Sequence, residues 1–110
     1  MTLIELEEYL AADGSAPFAE WLDDLRDGMA RVRIVKRLTR LRAGLMGDTK
    51  AVGGGVIELR EDYGPGYRVY CARHGSAVIV LLAGGDKRTQ QKDIERAQGY
   101  WQDWKQRKAR

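Results

Sequence analysis

The chain has 110 residues, 44% hydrophobic and 32% charged, which suffices for one core under a charged exterior and excludes a second core or a largely disordered class. Its formal net charge is only +3, so charge informs through its distribution: acids from Glu5 to Asp27 precede a basic run from Arg31 to Arg42, and the tail 105–110 is basic again. That pattern suits a polyanionic partner and equally a solvated face.

The opening Met1-Thr2-Leu3-Ile4-Glu5 carries an acid where a signal peptide needs basic residues and a long apolar run, and no stretch approaches membrane-span length. A cytoplasmic protein without membrane contact is expected. The single cysteine, Cys71, excludes an internal disulfide and reads as a small buried hydrophobe.

In chain order, Thr2 to Tyr9 has the composition of a first strand, closed by the turn Asp13-Gly14-Ser15. Ser15 is placed to cap a helix entered through Pro17, with Phe18, Trp21, Leu22, Leu25 and Met29 on one side and Gly28 at its end. A second helix follows, with Ile34, Leu38, Leu41 and Leu45 on its apolar stripe. The pair forms a helical hairpin whose exposed side is expected to carry Arg33, Lys36, Arg37 and Arg40, either as a solvated face or as an RNA-docking surface.

Residues 47–55 are glycine-rich and read as a loop presenting Lys50. Three strands are then predicted: Val56 to Glu61, Tyr67 to Cys71 after the turn Asp62-Tyr63-Gly64-Pro65-Gly66, and the apolar run Ala77 to Ala83, which suits a central strand buried on both faces. Gly84-Gly85-Asp86-Lys87 is expected to break the chain. Thr89 then caps a last helix with Ile94, Ala97, Trp101 and Trp104 on its stripe. The fold class is α+β: a single domain over 1–110, order β-α-α-β-β-β-α, in which helices cover one face of a small, mainly antiparallel sheet and leave the other open.

Alternation sends Ile57, Leu59, Tyr67, Val69 and Cys71 toward the helices and Glu58, Arg60, Arg68 and Tyr70 to the open face. Two arginines at mid-strand can pair with Glu58, cover apolar surface with their stems, or offer planar donors to phosphate. Lys87 stands just before a helix N-terminus, where backbone N–H groups favour an anion, or is an ordinary loop lysine. His74 reads as an exposed turn residue, and Trp21, Trp101 and Trp104 as core or interface. No HExxH, CxxC, phosphate-loop or GxGxxG pattern occurs, so neither a metal nor a nucleotide cofactor is expected.

The runs Val56-Ile57-Glu58-Leu59-Arg60, Gly64-Pro65-Gly66-Tyr67-Arg68-Val69-Tyr70 and Leu81-Leu82-Ala83-Gly84-Gly85-Asp86-Lys87, with Thr89-Gln90 and Asp93-Ile94, closely resemble the addiction-module killer proteins. These are phage Gp49-like, HigB-type members of the RelE/ParE superfamily. The likeness extends through Trp21-Leu22, the helix Ala30 to Leu45, Gly47-Asp48 and Lys50, and so covers most of the chain.

The resemblance implies a RelE-like domain and the toxin half of a type II toxin–antitoxin system, held inactive in a hetero-oligomer by a cognate antitoxin that in this branch is usually a helix-turn-helix protein. RelE-type members are metal-independent endoribonucleases that cut mRNA in the ribosomal A site. The substrate's 2′-OH is the nucleophile, so the protein need only place charges. Arg60 and Arg68 would then neutralise the phosphate, Lys87 or Lys50 would serve the leaving 5′-oxygen, and Tyr70 would stack on a base or assist proton transfer. Two alternatives stay open on this pattern: a ParE-like poison that binds DNA gyrase, and a nucleic-acid-binding regulator without catalytic activity.

Overall fold

A computed structural model describes residues 3–109. Strand β1 (Glu5–Glu8) leads into helix α1 (Pro17–Asp24) and helix α2 (Gly28–Arg42). Strands β2 (Thr49–Gly53), β3 (Val56–Glu61), β4 (Tyr67–His74) and β5 (Val78–Asp86) follow, and a short 3-10 turn, Lys87–Thr89, opens into helix α3 (Gln90–Lys108). The five strands form one sheet in the order β1-β5-β4-β3-β2. Neighbours are antiparallel except that β1 runs parallel to β5, with Glu5 opposite Val78.

The α+β class and the mainly antiparallel sheet are as expected, with two differences in the strands. The glycine-rich segment read as a loop contains β2, so Lys50 lies in an edge strand, opposite Glu58. Gly84 and Gly85, expected to break the chain, lie inside β5. They are there for close approach: a Cβ on Gly84 would stand 2.1 Å from the Trp21 ring, and one on Gly85 would stand 1.9 Å from Asp93 Oδ2. The strand is thus pinched between α1 on one face and α3 on the other.

That pinch reflects the main departure from the sequence reading, because the second face of the sheet is covered. Phe18, Ala30, Ile34 and Leu41 of the helical hairpin pack on Leu59, Val69, Cys71, Ile79 and Leu81. On the opposite face Ala97, Trp101 and Trp104 of α3 pack on Val56, Tyr70, Ala72, Val80 and Leu82. Of the run Ala77 to Ala83, Ile79 to Ala83 is buried on both faces as predicted, with Ile79 and Leu81 to one side and Val80 and Leu82 to the other, while Val78 is half-buried and Ala77 is exposed before the strand begins. Each such side chain withdrawn from water contributes about 1.5–3 kcal/mol, so both layers are strongly held.

Helix boundaries shift for local reasons. Ser15 does not cap α1: Ala16 occupies that position, its amide bound by Glu20 Oε2 at 2.8 Å. Gly28 opens α2 instead of ending α1, since the Asp27 carboxylate accepts from the amides of Met29 and Ala30. Met29 therefore belongs to α2, and Leu45 lies beyond it and is exposed. Thr89 holds the N-cap position of α3, but its hydroxyl donates to Asp93 Oδ2 instead of accepting from the helix.

Candidate functional site

The cross-strand register assembles the predicted cations. Lys50, Glu58, Tyr70 and Ala83 form one row across β2, β3, β4 and β5, and Arg60, Arg68 and Gly85 form the next. Directly opposed residues share a face, here the face under α3. Lys87 lies two residues beyond Gly85, and its stem crosses Gly66, where a Cβ would meet Lys87 Cε at 3.0 Å. Gly66 also has φ +80°, so the turn that supports Lys87 is doubly closed to a side chain. A shallow groove between residues 62–66 and Lys87 follows this turn.

Accessibility divides this set. Arg60 is partly exposed and donates to Asp48 Oδ1 at 3.0 Å, and that hydrogen bond and charge raise its pKa above the ordinary arginine value. Lys50 and Lys87 are exposed. Arg68 and Tyr70, expected on an open face, are buried at 4% and 0% exposure. The reason is the α3 layer, whose first turn closes over them.

Beneath that turn lies a buried polar cluster centred on Glu58, which is fully buried. Its Oε2 accepts from the Tyr70 hydroxyl at 3.1 Å and from Gln90 Nε2 at 2.8 Å, while its Oε1 faces Arg68 Nε at 3.8 Å. Arg68 also donates from Nη1 to the carbonyl of Tyr67. Burial first, then the charge and hydrogen bond of Glu58, push the Tyr70 phenol well above its ordinary range, so its proton stays on the phenol oxygen and is donated to the Glu58 carboxylate. Tyr70 is thus neither a free base-stacking surface nor a ready proton donor. The sequence reading offered Glu58 as a partner for a mid-strand arginine, and Arg68 takes that place; the roles of Gln90 and Asp93 and the hydrogen bond between Tyr70 and Glu58 escaped it, although Glu58 and Tyr70 share a strand face.

The helical-hairpin cations divide in the same way. Arg33, Lys36 and Arg40 are exposed, as predicted. Arg37 is not: at 7% exposure it donates to the carbonyls of Met46, Asp48 and Arg60 and pairs with Glu61. It ties α2 to the segment before β2 and to β3 through three main-chain carbonyls, of which that of Asp48 also accepts from the Arg60 amide. Arg33 stacks on Tyr63 and pairs with the same Glu61.

The anion site considered before α3 is also partly occupied. Asp86 accepts from the Arg88 amide and side chain, which hold its carboxyl below the ordinary value. Cys71 is buried, and desolvation pushes its thiol up to about 12. Among the described residues no cluster of metal-ligating side chains is assembled, and no helix is long and apolar enough to cross a membrane.

The family model of phage-derived Gp49-like proteins (DUF891) matches residues 20–101, from α1 through most of α3, and so takes in every cation of the two rows. The chain belongs to the Gp49-like family. An uncharacterized protein of Haemophilus influenzae is 46% identical over 80 residues, spanning 73% of this chain and 81% of that protein. The Gp49-like family is one of addiction-module killer, HigB-type toxins, in keeping with the resemblance read from the sequence. Membership implies a cognate antitoxin as partner. In this Gp49-like chain the exposed cations Lys50, Arg60 and Lys87 stand around a buried Glu58–Arg68–Tyr70 network that supports them from below.

Proposed function

We propose that this Gp49-like protein is a cytoplasmic toxin that cuts mRNA on the ribosome without a metal, and that a cognate antitoxin, of the helix-turn-helix type, restrains it in a hetero-oligomer. One observation carries the reading. Arg60 and Arg68 are direct partners across β3 and β4, with Lys50 one row away and Lys87 at the end of β5, so four cations converge on one end of one sheet face.

In this reading the RNA supplies its own nucleophile, the 2′-OH next to the scissile phosphate. Arg60, once turned from Asp48, offers paired N–H donors to the phosphate oxygens as negative charge builds on them. Lys87, or Lys50 across the row, stabilises the leaving 5′-oxygen or gives it a proton. Arg68 sits one layer deeper and acts through its field and by fixing the β3–β4 register. Arg33, Lys36 and Arg40 belong to another surface, on α2; Arg37 is committed to the fold.

The test incubates the full chain with programmed ribosomes and labelled mRNA, with naked mRNA alongside, and compares wild type with Arg60→Ala. Because Arg60 is partly exposed and Asp48 exposed, losing their ion pair costs little stability. Cleavage is expected only on ribosomes, and to fall by roughly a hundred- to a thousandfold in the folded variant. Intact mRNA with wild-type protein would overturn the endoribonuclease reading; a parallel supercoiling assay with DNA gyrase then decides between a gyrase poison and a non-catalytic binder.

A further inference from the structure

Helix α2 carries two apolar stripes, and only one is used. Ala30, Ile34 and Leu41 face the sheet and are buried. Met29, Val32 and Val35 face the other way and are 55%, 47% and 50% exposed. Val32 and Val35 line a groove that Leu22 closes on the α1 side, with Arg31 and Lys36 on its rim and Asp23 at one end. A second groove on the other side of Val32 is lined by Met29, Arg33, Lys36, Arg40 and Glu61. Exposed apolar residues scattered singly need no explanation, but three on successive turns with a groove on each side form a contiguous patch.

The charge around the patch says what covers it. From Gly28 to Arg42 the helix holds Arg31, Arg33, Lys36, Arg37, Arg40 and Arg42 and no acid. A second copy laid antiparallel on this helix would bring two cationic helices together, which like-charge repulsion opposes. A phosphate backbone would meet the cations but leave the valines and the methionine unmatched. We infer that the outer face of α2 is the docking site of an acidic amphipathic helix from a partner protein, its apolar side chains seated on Val32 and Val35 and its carboxylates on the Arg31 and Lys36 rim. On the reading above that partner is the antitoxin, and the helical hairpin covers the opposite face of the sheet from the row of Arg60 and Arg68.

The probes are three fluorescent ligands: a helical peptide with leucine at i, i+3, i+4 and i+7 and glutamate elsewhere, the same peptide with lysine for glutamate, and a single-stranded oligouridylate. Each is titrated by anisotropy into wild type, Val32→Glu and Val35→Glu, whose folds are checked by circular dichroism. The acidic peptide is expected to bind wild type, to lose affinity with added salt, and to bind each variant at least ~10-fold more weakly. Equal binding of the two peptides, unchanged binding by the valine variants, or displacement of the acidic peptide by the oligouridylate would overturn the inference. The mRNA cleavage assay separates the two readings: both variants are expected to cut as wild type, and a wild type that fails to cut removes the enzymatic reading while leaving the peptide result to stand.

Discussion

The buried ion pair between Glu58 and Arg68 changes what a mutation at Arg68 reports. On an open face Arg68→Ala would be a clean probe of catalysis. Here it leaves a fully buried carboxylate without its counter-charge, and breaking such a pair costs about 3–5 kcal/mol. We expect a matching fall in the urea midpoint at unchanged slope. Adding Glu58→Gln should recover much of the loss, since the amide oxygen still accepts from Tyr70 and Gln90 without a charge to desolvate. A folded Arg68→Ala protein as stable as wild type would show that the pair contributes nothing. Loss of activity in that variant therefore needs a stability measurement beside it, whereas Arg60→Ala does not.

Elements whose pattern is carried by their own side chains were legible in the sequence, and those defined by what stands beside or over them were not. Strands β3 and β4 alternate plainly, and the apolar stripe of α3 was visible because Ala97, Trp101 and Trp104 step along one side. The destination of that stripe was missed. Arg60, Arg68 and Glu58 made their face look solvated, although Val56, Ala72, Val80 and Leu82 share it and a strand buried on both sides already requires a second layer. Strand β2 was hidden by its glycines and by Lys50, which carry no β signal; only pairing with β3 makes it a strand. The Gly84-Gly85 pair reads as a turn in isolation, because sequence does not show what stands over a glycine. Gly85→Ala should cost about 1–3 kcal/mol, since its methyl would fall on the Asp93 carboxylate. The double change Gly85→Ala with Asp93→Ala should regain part of that in a thermal melt, and fully additive losses would mean the contact is not the cause.

At the scale of the whole molecule, two layers on one sheet place several weakly acidic groups in a dry interior. Burial pushes Cys71 from an ordinary thiol value of 9.0 to about 12, and burial with the Asp103 contact pushes Tyr9 from 10.0 to about 12. Tyr67 and Tyr70 shift the same way, burial leading in each. All are neutral when protonated, and the folded state holds their protons more tightly than the unfolded chain does. Their contribution is therefore complete below pH about 9 and is lost as pH rises toward about 12. Urea midpoints should hold steady up to the thiol range and decline beyond it, and Cys71→Ala should move the onset up toward the tyrosines. A midpoint that stays level to pH 11 or so would contradict this.

The parallel pairing of β1 with β5 has a bearing on synthesis. Glu5 through Glu8 leave the ribosome early, yet their partners, Val78 through Leu81, are among the later residues translated. Until then the first strand has no neighbour, and the end of β5 that faces Arg68 does not exist. Closing so long a loop is slow relative to forming the helical hairpin. The basic end of the sheet is thus completed late in the chain's production, while the outer face of α2, built from local contacts, is presented well before it. A partner that docked on α2 as inferred above would meet its target on a polypeptide whose basic sheet end is not yet complete.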